Sequence, residues 1–273
     1  MELLGFALAA LIGLSLGLLG GGGSILTVPN FVYVLGFAAK PAIAMSLPVV
    51  GITSLVGGLW HWRAGNVNPR VALIFGGTAM AASYAGARLS VFVSGTVQLT
   101  LLAIVMLAAA ASMFTSGSSQ NGRAEASGQS LDKDAMSLKL MIAVALGVGL
   151  LTGVVGIGGG FLVVPALVVL GKLPMKQAIG TSHVVIAMNS LSGILGYLGQ
   201  VSIPWSFVAL FTAVSIAGVL MGTYLLRFVS QATLKRAFAV FLVLIGGMML
   251  YRNLVGPGLR RTETTTVAPA ATG

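Results

Sequence analysis

No acidic residue interrupts the chain between Glu2 and Glu125, nor between Asp134 and Glu263. Both stretches consist of apolar runs, which cover 3–19, 24–38, 42–62, 69–90 and 95–115, then 138–155, 160–171, 177–198, 204–226 and 232–252. Charged residues make up only 7% of the sequence, against about a quarter in a soluble domain. In hydrocarbon the backbone must satisfy its own N–H and C=O groups, so runs near twenty residues long read as membrane helices. The expected fold class is an all-α integral membrane protein. No basic region precedes the first run, which follows Met1-Glu2 directly, so 3–19 is expected to stay in the mature chain.

The two stretches are copies. Subtracting 136 places Gly149, Gly153, Gly156, Leu162, Val164 and Pro165 on Gly13, Gly17, Gly20, Leu26, Val28 and Pro29. The same offset places Lys176, Ala178, Ile179, Ser182, Ser190 and Gly193 on Lys40, Ala42, Ile43, Ser46, Ser54 and Gly57. The expected organisation is a first repeat at 1–115, a polar cytoplasmic linker at 116–137, a second repeat at 138–252 and a disordered tail at 253–273. Basic residues orient the copies, since Lys and Arg favour the cytoplasmic side. The joint after the third run carries Arg63 and Arg70, while its counterpart around 199–204 carries no charge. The other joints show the reverse bias, with Lys40 against Lys172 and Lys176, and Arg88 against Arg227, Lys235 and Arg236. The expectation is two inverted-topology repeats of about five segments each, with the N-terminus outside.

Each copy contains a glycine stretch inside apolar sequence, Gly20-Gly21-Gly22-Gly23-Ser24 and Gly156-Ile157-Gly158-Gly159-Gly160. Glycine is unfavourable in a helix interior, so each stretch predicts a break, and such breaks survive in a membrane only within protein or along a cavity. The segments 24–38 and 160–171 are short for a crossing, which allows a re-entrant hairpin. Helices restarting at Ser24 and Gly160 would aim unpaired N–H groups and the positive dipole end into the breaks, a setting suited to an anion. On this reading Gly22, Gly23, Ser24, Gly158, Gly159 and Gly160 contact substrate. The alternative is close helix packing, which the Gly13-x-x-x-Gly17 and Gly149-x-x-x-Gly153 spacings support.

A second cluster opens the third run of each copy. Met45-Ser46 matches Thr181-Ser182, followed by Leu47 in one half and His183 in the other, and Thr53-Ser54 and Asn189-Ser190 follow seven or eight residues later on the same helix face. Ser46, Thr181, Ser182, His183 and Asn189 either complete an anion's shell or hydrogen-bond between helices. His183 is the one proton handle beside the cluster. His61 falls in Trp60-His61-Trp62-Arg63, which reads as an interface anchor.

Several functions are excluded. No carboxylate lies within an apolar run, which removes paired-carboxylate catalysis and the acidic site of a cation carrier. Ser182 and His183 are adjacent and diverge by about 100° on a helix, so they form no nucleophile–base pair. Neither glycine stretch ends in Lys-Ser/Thr, and no acidic residue follows at dinucleotide-fold spacing. Cysteine is absent, two histidines without acidic neighbours make no metal site, and no cofactor is expected. The net charge of +10 sits at the ends of runs and in the tails, not on a stripe for nucleic acid.

The paired stretches 17–29 (Gly-Leu-Leu-Gly-Gly-Gly-Gly-Ser-Ile-Leu-Thr-Val-Pro) and 153–165 (Gly-Val-Val-Gly-Ile-Gly-Gly-Gly-Phe-Leu-Val-Val-Pro) resemble the signatures of the sulfite exporter TauE/SafE family. The Lys-x-Ala-Ile-x-x-Ser and Lys-Gln-Ala-Ile-Gly-Thr-Ser stretches at 40–46 and 176–182 resemble it too, and the likeness covers 5–252. It implies a multi-pass permease of the bacterial inner membrane that moves sulfite or a related sulfur-containing or organic anion by alternating access. An importer or channel for another solute, or a non-transporting accessory protein, is the alternative. Departures from the paired pattern are Gly21 against Ile157 and Leu47 against His183.

Overall fold

In a computed structural model the described residues are 2–115, 138–155, 160–197, 201 and 203–255. The expected linker and the tail beyond Val255 lie outside them. Among the described residues there are ten α-helices and no strand. The first half holds α1 (Glu2–Leu19), α2 (Gly22–Pro29), α3 (Ala39–Arg63), α4 (Pro69–Leu89) and α5 (Gly95–Thr115). The second holds α6 (Leu138–Val155), α7 (Gly160–Pro165), α8 (Met175–Tyr197), α9 (Trp205–Leu225) and α10 (Gln231–Val255). Among the described residues four helical stretches (Ala39–Arg63, Leu138–Val155, Met175–Tyr197 and Trp205–Phe228) are long and apolar enough to cross a membrane. Large apolar side chains such as Leu73, Leu210 and Leu244 face outward, as a hydrocarbon solvent requires and water does not.

The predicted break is present in the first half. α1 stops at Leu19, Gly20 adopts φ +68°, and α2 begins at Gly22, two residues before the expected Ser24. A side chain at Gly20 is excluded twice, by that φ and because its Cβ would lie 2.8 Å from Ser182 Oγ and 3.1 Å from Val164 Cγ2. The break is therefore seated against α7 and α8. In the second half α7 begins at Gly160 as expected, and Gly158 and Gly159 lie outside the described residues.

Both short helices then widen in the same way. Pro29 and Pro165 have no N–H to give, and a π-helical turn follows each, at Asn30–Val34 and Ala166–Leu170. Leu35 N–H donates to Asn30 O and Gly171 N–H to Ala166 O, each at 3.0 Å. With its π turn, Gly22–Val34 is about 20 Å long at 1.5 Å per residue, short of the about 30 Å hydrocarbon core. Phe31 anchors the first turn, stacking edge-on against Phe211 of α9 at 4.9 Å.

Small residues set the helix pairs. α1 lies along α9 and α4 along α6. A Cβ at Gly13 would strike the carbonyl of Ser215, and one at Gly149 the carbonyl of Ala79, which is the same contact 136 residues on. Gly17 against Val219 and Gly153 against Ser83 repeat the pairing one turn further along. Such close backbone approach is how helices gain contact where no hydrophobic effect drives them together.

At the centre α3 crosses α8. Gly57 meets His183, Gly51 meets Ser190 and Gly193 meets Leu47, so the two helices run antiparallel. Asn68 accepts from Val71 N–H at 3.2 Å and caps α4, with Pro69 favourably placed in the first turn. Its own N–H donates to Thr181 Oγ1 at 3.0 Å, which ties the α3–α4 turn to α8.

Candidate functional site

Hydrogen bonding divides the sequence-derived candidates. Ser24, Ser46 and Ser182 are fully buried, and each hydroxyl donates to the carbonyl three residues back: Gly21 at 2.6 Å, Ile43 at 2.8 Å and Ile179 at 2.8 Å. Their protons are thus engaged inside their own turns, and α2 has no side-chain cap. Thr181 receives the Asn68 amide. Gly22, Gly23 and Gly160 open α2 and α7, and these two helices touch.

His183 and Asn189 differ. Both are fully buried in α8, and Asn189 Oδ1 and Nδ2 have no partner. His183 Nδ1 lies 2.9 Å from Ile179 O, while Nε2 has none. A carbonyl only accepts, so Nδ1 carries the proton, and Nε2 of the neutral ring presents a lone pair. Ser54 Oγ on α3 and Ser190 Oγ on α8 are likewise buried and unpartnered. A buried polar atom without a hydrogen bond costs about 1–3 kcal/mol, and several on one helix crossing point to a polar occupant.

The sequence reading missed His61. It was expected at the membrane interface, yet its side chain is 1% exposed, whereas Trp60 and Trp62 on either side of it face outward. Its ring centroid lies 5.2 Å from that of His183, and neither ring nitrogen has a partner. The overlooked signal is phase. Ser54, Gly57, Gly58 and His61 follow i, i+3, i+4, i+7 and share one face. Beside His61 a cavity of about 320 Å³ opens at the C-terminal ends of α3 and α9 and the N-terminal end of α8.

The opposite end of the crossing is filled. Leu47 lies against Gly193, and Gln98 Nε2 and Tyr197 Oη donate to Val154 O at 2.7 and 3.3 Å. Val154 is the penultimate residue of α6. These two side chains meet its carbonyl where the described helix ends.

Among known proteins, the family described as sulfite exporter TauE/SafE matches residues 5–249. A probable membrane transporter protein of Xylella fastidiosa (strain 9a5c) is 31% identical over 251 residues, which cover 89% of this chain and 92% of the relative. The probable membrane transporter protein YdhB of Bacillus subtilis (strain 168) is 24% identical over 241 residues, covering 88% and 97%. A probable membrane transporter of Methanocaldococcus jannaschii is 28% identical over 230 residues, covering 77% and 81%. No solved structure matches the chain.

Proposed function

The chain belongs to the sulfite exporter TauE/SafE family of membrane transporters, not to an enzyme family, and from that premise we propose that it exports a small anion, sulfite or an organosulfonate first among them, across the bacterial inner membrane. The observation that carries the reading is the unpartnered set of Ser54, His183, Asn189 and Ser190 at the α3–α8 crossing. The halves act as inverted-topology repeats, a reading supported by the antiparallel run of α3 and α8 and by contacts that recur at the offset of 136. Rocking them about the crossing would expose the site to either side in turn.

Passing along the crossing, the anion meets His183 and, two turns further along α8, Asn189 Nδ2 and the Ser54 and Ser190 hydroxyls. The Gly22–Gly23–Ser24 amides and that of Gly160 add donors from the helix starts. Ser46, Thr181 and Ser182 hold the surrounding backbone in shape. With Nδ1 committed to a carbonyl, Nε2 becomes a donor only when the ring takes a second proton. Otherwise the solute itself must bring an O–H to the Nε2 lone pair. Either way one proton accompanies one anion. Within the site's reach the other titratable side chain is His61, 5.2 Å away between ring centroids. With Arg63, Arg70, Lys176 and Arg227 at the cavity's end of the molecule, that end is assigned to the cytoplasm, ready to load from inside.

Proteoliposomes loaded with sulfite and a pH-sensitive dye test both parts. The expected result is sulfite efflux above protein-free vesicles, with about one proton leaving per anion. Absence of efflux for sulfite and for short alkylsulfonates would remove the anion-exporter reading. Efflux without proton movement would remove the role given to His183.

A further inference from the structure

The cavity beside His61 belongs to none of the residues assigned to the central site. Trp60, His61, Asn66, Lys176, Thr223 and Arg227 line it. Two of these are cationic, and no acidic residue exists anywhere in α3, α8 or α9 to neutralise them. Arg227 is held in place by its guanidinium, which stacks over the Tyr224 ring with 3.4 Å to the centroid. Stacking occupies the flat face of the group and leaves its N–H edge for a ligand.

The inner wall adds an independent sign. Thr223 Oγ1 and both ring nitrogens of His61 are buried and lack partners, with the side chains 6% and 1% exposed. Two cations alone would describe a solvated helix end. Two cations above buried, unsatisfied hydrogen-bonding groups describe a receptacle. A volume of about 320 Å³ holds an oxyanion with part of its water shell, since a water occupies about 30 Å³.

We propose that this cavity is a second anion-binding site, a docking site where a small oxyanion waits between Lys176 and Arg227 before passing His61 to reach His183. The fields of the two cations add within low-dielectric walls and raise the local anion concentration, so the site acts on loading. The His61 and Thr223 side chains supply hydrogen bonds as water is shed. The waiting role rests on the anion-exporter reading, but occupancy of the cavity can be measured without transport.

Trp60 at the rim is the reporter. The full chain carrying Trp62→Phe and Trp205→Phe keeps it as the sole indole and is placed in nanodiscs of zwitterionic lipid. Iodide serves as the anionic quencher and acrylamide as the neutral one. Iodide should quench Trp60 about tenfold better than it does after Lys176→Gln with Arg227→Gln, with acrylamide quenching equal in both. Sulfite should displace iodide from the parent protein. Equal iodide quenching with and without the two cations would overturn the proposal, and so would a parallel fall in acrylamide quenching, which reports lost access. If the double variant does not fold, Lys176→Gln alone keeps the Arg227–Tyr224 stack and should weaken iodide quenching about threefold. No change there overturns the proposal as well. Intact iodide selectivity without sulfite efflux would remove the exporter reading and leave the site. Efflux without selectivity would remove the site and leave the exporter.

Discussion

The two ends of the α3–α8 crossing share one backbone arrangement and differ in what fills it. At one end Gly57 admits the ring of His183, with His61 beside it and a cationic cavity beyond. At the other, Gly193 admits Leu47, and Tyr197 stands where the offset of 136 places the counterpart of His61. There Gln98 and Tyr197 satisfy a helix-end carbonyl. The duplicated segments supply a scaffold that closes equally well at both ends. A few unmatched side chains then make one end a sealed plug and leave the other polar, unsatisfied and open. Polarity in excess of its partners is what sets this end apart and supports the proposal that solute passes there.

The largest effect expected from breaking this comparison lies at the paired glycines. A Cβ at Gly57 would sit 2.5 Å from His183 Cδ2 and 2.7 Å from Nε2, and the ring cannot retreat while Nδ1 is bound to Ile179 O. At Gly193 the same Cβ would meet Leu47 Cδ2 at 3.0 Å, a flexible tip that can turn aside. Gly57→Ala should therefore abolish measurable efflux and destabilise the fold by about 1–3 kcal/mol, the range for overpacking. Gly193→Ala should retain most flux and most of the thermal midpoint. Equal loss in the two variants would show that the ends are mechanically alike.

A step smaller is His183→Leu, which writes the residue of the sealed end into the open one. The ring is lost but the apolar volume is largely kept, so the helix pair should hold. Losing a hydrogen bond to a charged solute costs about 1.5–3 kcal/mol, or roughly a 10- to 100-fold lower efflux rate. With a short alkylsulfonate, which brings no O–H of its own, the proton accompanying the remaining anion flux should vanish with it. Proton movement that persists in this variant would place the coupling elsewhere.

The extent to which these ends could be read from sequence follows from what kind of signal each element leaves. The breaks are legible because glycine and proline act on their own local backbone: Gly20–Gly21 and Pro29 mark where helix stops and where it widens. Helix lengths are legible because hydrocarbon demands continuous apolar runs. Helix phase leaves a fainter trace, because lipid and protein interior are both apolar, and on α3 only the stripe of Ser54, Gly57, Gly58 and His61 separates one face from the other. Trp60 and Trp62 make this segment read as an interface, although Gly57 and Gly58 one turn earlier and Ser54 two turns earlier give the direction of His61. Partners distant in sequence leave no local trace. Nothing near Thr181 announces that its oxygen receives the Asn68 amide, 113 residues away. Nor does any motif show that the Ser24, Ser46 and Ser182 hydroxyls turn back onto their own helices.

The smallest expected effects lie at the sealed end, where redundancy is built in. Gln98 donates to Val154 O, yet its own Oε1 is buried without a partner. Gln98→Met loses a hydrogen bond of about 0.5–1.5 kcal/mol but also removes an orphaned acceptor, and these changes oppose each other. Tyr197→Phe deletes the longer of the two bonds to the same carbonyl and leaves the Gln98 contact in place. Each single change should move the thermal midpoint little. The double variant strips Val154 O of both side-chain donors, and a bare buried carbonyl costs about 1–3 kcal/mol. The loss should therefore exceed the sum of the singles, the non-additivity expected of groups sharing one partner. Flux should survive in all three, because no solute contact is touched. An additive cycle would mean that Val154 O finds water once the donors are gone, and that the sealed end is wetter than its packing suggests.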